Sequence, residues 1–379
     1  MRGGTVKKRA ALLVWLPIVL AFVFSAPAQA GTVDATQGVV FTATPGETNT
    51  LTITRGLDSV IVADLGAPLS VLGDCISIDP NTASCPTGGS LVALLGDGDD
   101  EADVNVPHSL VVGGEGADTV TAWGRVRGGS GNDTLATHPS GGTLNGGEGN
   151  DALRGGEESS STWMIGGPGS DTFIPGRWSY VSYEGRTNPV VVDADGNPDD
   201  GETGEGDNVL PGVDTIIGGR GDDRLSMIGG VHQIWGGAGD DVLDARFAGR
   251  FSQARGGPGD DTLFGGTIHD DLVGGYGHDI LVGRGGSDWM EGGPGDDVLK
   301  GGRGRDALYG DHPYEDLGRG DDLLVGGRGG DSADGGRGAD TLLMRDAPPA
   351  RDRINGGPGR DRARIDRGLD RIFDVEILF

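Results

Sequence analysis

The apolar residues of this chain fall into two patterns that meet near residue 95. Upstream they alternate with polar ones, as in Val39-Val40-Phe41-Thr42-Ala43-Thr44 and Thr50-Leu51-Thr52-Ile53-Thr54. Pro45-Gly46 and Arg55-Gly56 stand between such runs. Alternation broken by turn residues predicts short β-strands across residues 31–94. Downstream, large apolar residues become sparse and metrical. GGYGHDILV, GRGGSDWME, GGPGDDVLK and GGRGRDALY follow one another from Gly274 to Tyr309. Each places one large apolar residue (Leu281, Met290, Leu299, Leu308) two positions after an aspartate. No stretch from residue 31 onward has a helical period, so the chain reads as all-β.

The nonapeptide, GGxGxDxUx with U apolar, recurs from about residue 95. Copies begin near Leu95, Gly113, Gly128, Gly146 and Gly166, and resume at Gly218, Gly236, Gly256, Gly265, Gly274, Gly283, Gly292 and Gly301. Others begin near Leu317 and at Gly326, Gly335 and Gly356. Steps of 9 run from Gly256 to Gly301, and steps of 18 separate Leu95 from Gly113, Gly128 from Gly146, and Gly218 from Gly236. These spacings predict a coil whose full turn is two nonapeptides. Loops would lie on both edges of the dense zone. Elsewhere they would lie on one edge, with half-turns such as Met227–Gln233 and Phe247–Gln253 on the other. Each x-U-x would be a short strand pointing its apolar residue inward, and stacking would fill a narrow core.

The chain divides accordingly: a signal peptide over 1–30, a β-region over 31–94, and a first array over 95–175. An acidic insert over 176–217, a second array over 218–365 and a cap over 366–379 complete it. The signal peptide rests on a basic start (Arg2, Lys7, Lys8, Arg9), an apolar run from Ala11 to Phe24, and Ala28-Gln29-Ala30 as cleavage site. Cleavage after Ala30 implies a secreted, extracellular protein. No second long apolar run follows, so no membrane span is expected in the mature chain. Export favours a disulfide between Cys75 and Cys85.

Composition agrees with a thin core: 76 of 379 residues are glycine and 35% are hydrophobic. The net charge of −28 becomes −32 once the four basic residues of the signal are removed. Such a chain repels nucleic acid and attracts cations. The sixth-place residues are Asp100, Asp118, Asp133, Asp151, Asp171, Asp223, Asp241, Asp261, Asp270, Asp279, Asp288, Asp297, Asp306, Asp322, Asp331, Asp340 and Asp361. Carboxylates and glycine carbonyls are hard oxygen donors. Calcium takes six to eight such oxygens at about 2.3–2.6 Å. One loop cannot fill that shell, so each ion should sit between loops one turn apart. The expected pairings are Asp261 with Asp279, Asp270 with Asp288, Asp279 with Asp297, Asp288 with Asp306, Asp100 with Asp118, Asp133 with Asp151, and Asp223 with Asp241. Asp222, Asp240, Asp260 and Asp296 could add a second carboxylate.

The tandem copies resemble the RTX-type, or haemolysin-type, calcium-binding repeat over roughly residues 95–365. The resemblance implies a parallel β-roll holding several Ca2+ ions. With the signal, the cysteine-bearing β-region and VSYEGR…DADGNPDDGETGEGDN, it extends to exported repeat proteins of high-GC Gram-positive bacteria. A cleaved leader departs from the C-terminal secretion signal of many members, so that route is not carried over.

Asp193-x-Asp195-x-Asn197 opens like an EF-hand, but Pro198 and Gly204 stand where that loop needs glycine and glutamate. The insert is left as an auxiliary calcium loop using some of Asp193, Asp195, Asp199 and Asp200, or as a solvated acidic loop. Family members often carry a catalytic domain. Here there is no HExxH and no GxSxG; His269 and His278 lie within repeat loops, and about 65 residues precede the array. A non-enzymatic structural role is expected. The alternative is a calcium-dependent adhesion module binding an extracellular glycan or cell-surface protein through Trp163, Trp178, Trp235 and Trp289; a hydrolase is the remotest reading.

Overall fold

The computed structural model describes residues 31–379 apart from 37, 88, 159–160, 229, 250, 313–318 and 367. The expected signal peptide and Leu317 lie outside the described residues. Within them every regular element is a strand, and strand pairs with strand around a parallel solenoid of about fifteen turns.

One ladder is continuous along the coil. It starts at Val39–Thr42, passes through Leu91–Asp97 and the later part of Glu101–Glu115, and reaches Gly142–Glu148 and Ser161–Ile165. From Trp178–Ser182 it continues through Thr215–Ile217, Gln233–Trp235, Ser252–Pro258, Asp270–Tyr276 and Trp289–Glu291 to Arg371–Phe373. The facing ladder comes in two stretches. The first runs from Thr50–Arg55 through Thr134–Thr137 and Ala152–Arg154 to Asn208–Val209. The second runs from Val190–Val192 through Arg224–Ser226 and Val298–Gly304 to Ile377–Leu378. Asp200 joins the two: its carboxylate accepts the N–H of Val209 and the N–H of Asp193, at 2.8 and 2.9 Å.

The core is the row of eighth-place residues. Leu153, Leu281, Met290, Leu299, Leu308 and Leu342 are all 0% exposed. Leu153, Met290, Leu308 and Leu342 are the middle residues of three-residue strands, and Leu281 and Leu299 the second residues of seven-residue ones. Full burial of one such side chain stabilises by about 1.5–3 kcal/mol, and stacking makes the row cooperative.

Both ladders begin inside residues 31–94. That region therefore forms the first turn, closed by antiparallel hairpins such as Thr50–Arg55 on Ser59–Asp64. Cys75 and Cys85 are joined in a disulfide there. Residues 366–379 likewise add the last rung to each ladder. The insert is one long turn of the same coil.

Candidate metal centres

Each repeat loop places its aspartate at the point where the glycine turn re-enters a strand. Two glycines make this possible. Gly259 has φ +143°, which few L-residues adopt, and a Cβ there would stand 2.0 Å from the Gly239 carbonyl oxygen of the turn beneath. A Cβ on Gly256 would stand 2.0 Å from Oδ2 of Asp261 in its own loop. The missing side chains let turns stack and let the carboxylate fold back over the loop.

The aspartates form columns. In the first, the N–H of Asp100 donates to Oδ1 of Asp118 at 2.9 Å, Asp118 to Asp133 at 2.9 Å, Asp133 to Asp151 at 2.8 Å, and Asp151 to Asp171 at 2.9 Å. Beyond the insert, Asp223 donates to Asp241, Asp241 to Asp261, Asp261 to Asp279, and Asp279 to Asp297, at 2.7–2.8 Å. Asp297 donates to Asp322, Asp322 to Asp340, and Asp340 to Asp361, at 2.8–2.9 Å. A second column on the other edge links Asp270, Asp288, Asp306 and Asp331 in the same way. Every expected sixth-place aspartate thus lies in a column, and every pairing expected across 18 residues is adjacent.

Four aspartates were missed, as was Glu376, which ends the first column by accepting the Asp361 N–H at 2.7 Å. Asp207 accepts from the Asp171 N–H and Asp214 from the Ser179 N–H, both at 2.8 Å. Asp352 accepts from the Asp331 N–H and Asp370 from the Asp352 N–H, at 2.8 and 3.1 Å. None follows a GGxG sequence. All four begin a D-x-U-x tetrapeptide (Asp207-Asn-Val-Leu, Asp214-Thr-Ile-Ile, Asp352-Arg-Ile-Asn, Asp370-Arg-Ile-Phe), and that shorter signal would have found them. Asp222, Asp240, Asp260 and Asp296 instead face solvent, where they accept fifth-place or neighbouring N–H groups, as Asp260 does from His278 at 2.8 Å. His278 Nδ1 accepts the Asp296 N–H, as befits a loop residue.

At most column positions one carboxylate oxygen is used and the other is stranded, whereas the second oxygens of Asp223 and Asp270 accept the N–H groups of Gly219 and Gly266. Oδ2 of Asp118, Asp133, Asp151, Asp171, Asp261, Asp279, Asp288, Asp297, Asp306, Asp322 and Asp340 is buried without a hydrogen-bond partner. Burial, reinforced by carboxylates one turn away, pushes Asp297 up to about 9 and Asp171 and Asp322 to about 8. Asp118, Asp241, Asp279, Asp288 and Asp340 rise to about 7. A buried carboxylate with an orphaned oxygen is costly unless a cation or proton meets it. Among the described residues, no three His, Cys, Asp or Glu side chains converge closely enough to hold a metal by themselves. An ion here must draw on backbone carbonyls as well, and calcium accepts both donor types. The residues therefore fit calcium.

The insert behaves differently. Asp193, Asp195 and Asp199 surround a turn in which Asp195 takes the Asn197 N–H at 2.8 Å and Asp193 the Asp195 N–H at 3.1 Å. Asp200 spends both oxygens on the ladder junction.

A family model described as RTX calcium-binding nonapeptide repeat (4 copies) matches residues 125–138, 141–159, 210–226, 233–247, 255–290, 282–311 and 317–343. No curated protein matches the chain.

Proposed function

We propose that this RTX-type calcium-binding repeat protein is an exported structural element whose roll folds as calcium enters between its turns. The repeats bind several Ca2+ ions between successive turns. The observation that carries the rest is the file of buried Asp oxygens with no protein partner. Ionised and metal-free, the column repels itself and opens the coil; calcium neutralises it and supplies the missing partner. The sixth-place aspartates, with Asp352 and Asp370, would hold the ions together with glycine carbonyls of adjacent loops. Calcium affinity in the range of weak extracellular modules, roughly 0.1–1 mM, would suit a chain that meets the ion after export. The β-roll is a typically non-catalytic fold, and a scaffold role follows from its stiffness once loaded.

Far-ultraviolet circular dichroism of the chain lacking residues 1–30 should show strand signal rising with calcium and falling with a chelator. Equal strand content in millimolar calcium and in chelator would sink coupled folding. The mass of the exported chain should correspond to a start at Gly31.

A calcium-dependent adhesin is the second reading. It is favoured by Trp163, Trp178, Trp235 and Trp289 all lying on the outward side of one ladder. Trp163 spends a face on Tyr180, at 4.8 Å between centroids and 3° between planes, which leaves less aromatic surface for a sugar. Sedimentation with cell-wall polysaccharide, with and without calcium, separates the two. No helix among the described residues is long and apolar enough to cross a membrane.

A further inference from the structure

We infer that the turn built by the insert takes no calcium, because Arg186 stands there in the ion's stead. The inference rests on the calcium-folding reading above and concerns where that reading stops. In most of the regular loops Oδ2 of the column aspartate is buried and unpartnered, as at Asp151 and Asp171; at Asp223 and Asp270 it takes only an N–H of its own loop, from Gly219 and Gly266. At Asp207, the column member that follows, the atom is satisfied: the Tyr183 hydroxyl donates to Oδ2 at 3.0 Å, and Oδ1 takes the Asp171 N–H. Tyr183 is itself buried against Phe173, with ring centroids 6.2 Å apart.

The positive charge comes from the same turn. Arg186 donates to the carbonyl of Gly167, the second glycine of the preceding repeat loop, and to the Glu205 carboxylate. Its other terminal nitrogen reaches Glu202 at 3.4 Å. The side chain is 19% exposed, so the charge sits inside the edge of the coil. A glycine carbonyl and a carboxylate are the two donor types that an ion would use between regular loops. Here a guanidinium, permanently charged and able to donate several hydrogen bonds in one plane, meets both. The chain brings it there through a tight turn, Arg186 N–H to the Tyr183 carbonyl at 2.8 Å. Next along, the Arg186 carbonyl accepts the Arg220 N–H at 2.9 Å and so receives the second array. Glu202 and Glu205, two acidic residues of the insert, are thereby assigned to Arg186.

The consequence is a metal-independent joint between two calcium-dependent arrays. Hydrogen exchange by mass spectrometry on the full exported chain tests it. On chelation, peptides across residues 183–209 should lose the least protection and those across 261–300 the most. Equal loss in both segments overturns the inference while leaving calcium-coupled folding intact; no loss in either overturns both. Arg186→Gln removes the charge and keeps much of the size. In that variant protection of 183–209 should become calcium-dependent. Calcium counted by plasma mass spectrometry at fixed free calcium should rise by about one ion per chain. Arg186→Lys should keep the parent pattern. An Arg186→Gln chain with parent protection and parent calcium content, or one whose insert stays unprotected at saturating calcium, would show that Arg186 does not replace an ion.

Discussion

Residues 100–171 and 261–361 use one coil with different edges. In the first stretch aspartates line one edge only. The other is closed by small neutral groups: Ser109 Oγ donates to the Trp123 carbonyl at 3.2 Å, and Thr162 Oγ1 accepts the Gly156 N–H at 3.3 Å. In the second stretch both edges carry Asp columns. Neutral staples satisfy themselves within the protein, whereas stacked carboxylates do not. The first half therefore needs an external cation along one edge and the second along two. Without calcium the second half should be the less stable; with calcium it should be the stiffer.

Chelation gives the largest effect and the most direct way to break this comparison. Proteolysis of the chelated chain should cut within 261–343 before it cuts within 119–154, and saturating calcium should reverse the order. Simultaneous cutting would mean that edge chemistry does not set local stability. Next in size are the core deletions. Leu299→Ala and Leu153→Ala each remove a fully buried side chain and should each cost about 2–5 kcal/mol in urea unfolding of the loaded protein. The two costs should match, because the halves share their core and differ only in edges. Comparable is Gly259→Ala, where strained backbone costs about 1–3 kcal/mol and the added Cβ would also stand 2.0 Å from the Gly239 carbonyl oxygen, against no change for Gly249→Ala, where a Cβ meets nothing within 4 Å.

Asp297→Asn should raise the calcium needed for half-folding by about tenfold, or ~1.4 kcal/mol. It should also make the metal-free chain more ordered, since the amide oxygen can still accept the Asp279 N–H without a buried charge. A fall in order without metal would contradict the account of self-repulsion. The smallest effect is a pH response in chelator. Burial raises the folded values of the column carboxyls above 3.8, to about 6 at Asp151 and Asp261, about 7 at Asp118, Asp241, Asp279, Asp288 and Asp340, about 8 at Asp171 and Asp322 and about 9 at Asp297. The folded state therefore binds more protons than the unfolded one. The stability conferred by protonation is complete below about 4 and is lost as pH rises through 6 to 9. The chelated chain should recover strand signal at pH 5 relative to pH 8, mostly in the two-edged half. Calcium binding should run the opposite way, because its ligands must be ionised.

Much of this was legible in the one-dimensional pattern. The glycine pairs, the sixth-place Asp and the eighth-place apolar residue specify a loop, a ligand and a core position within nine residues, so local chemistry suffices to read them. Asp352 and Asp370 escaped because their loops, such as Ala347-Pro348-Pro349-Ala350-Arg351, carry no glycine signature while the strand that follows still fits the rung. The fixed 18-residue unit was also too strict. Asp118 meets Asp133 after 15 residues, Asp297 meets Asp322 after 25, and Asp171 meets Asp207 after 36.

By itself, the sequence determined the all-β coil, its row of core residues and its demand for cations, because these follow from a short period and an excess of acid. Only the tertiary structure decided which aspartates stack and where a guanidinium takes a cation's place. Neighbours across turns are set by the hydrogen-bonded rung, and the length of loop leaving the edge between two rungs is free to vary. Arg186 shows the point: nineteen residues separate it from both Gly167 and Glu205, and no period in the chain connects the three.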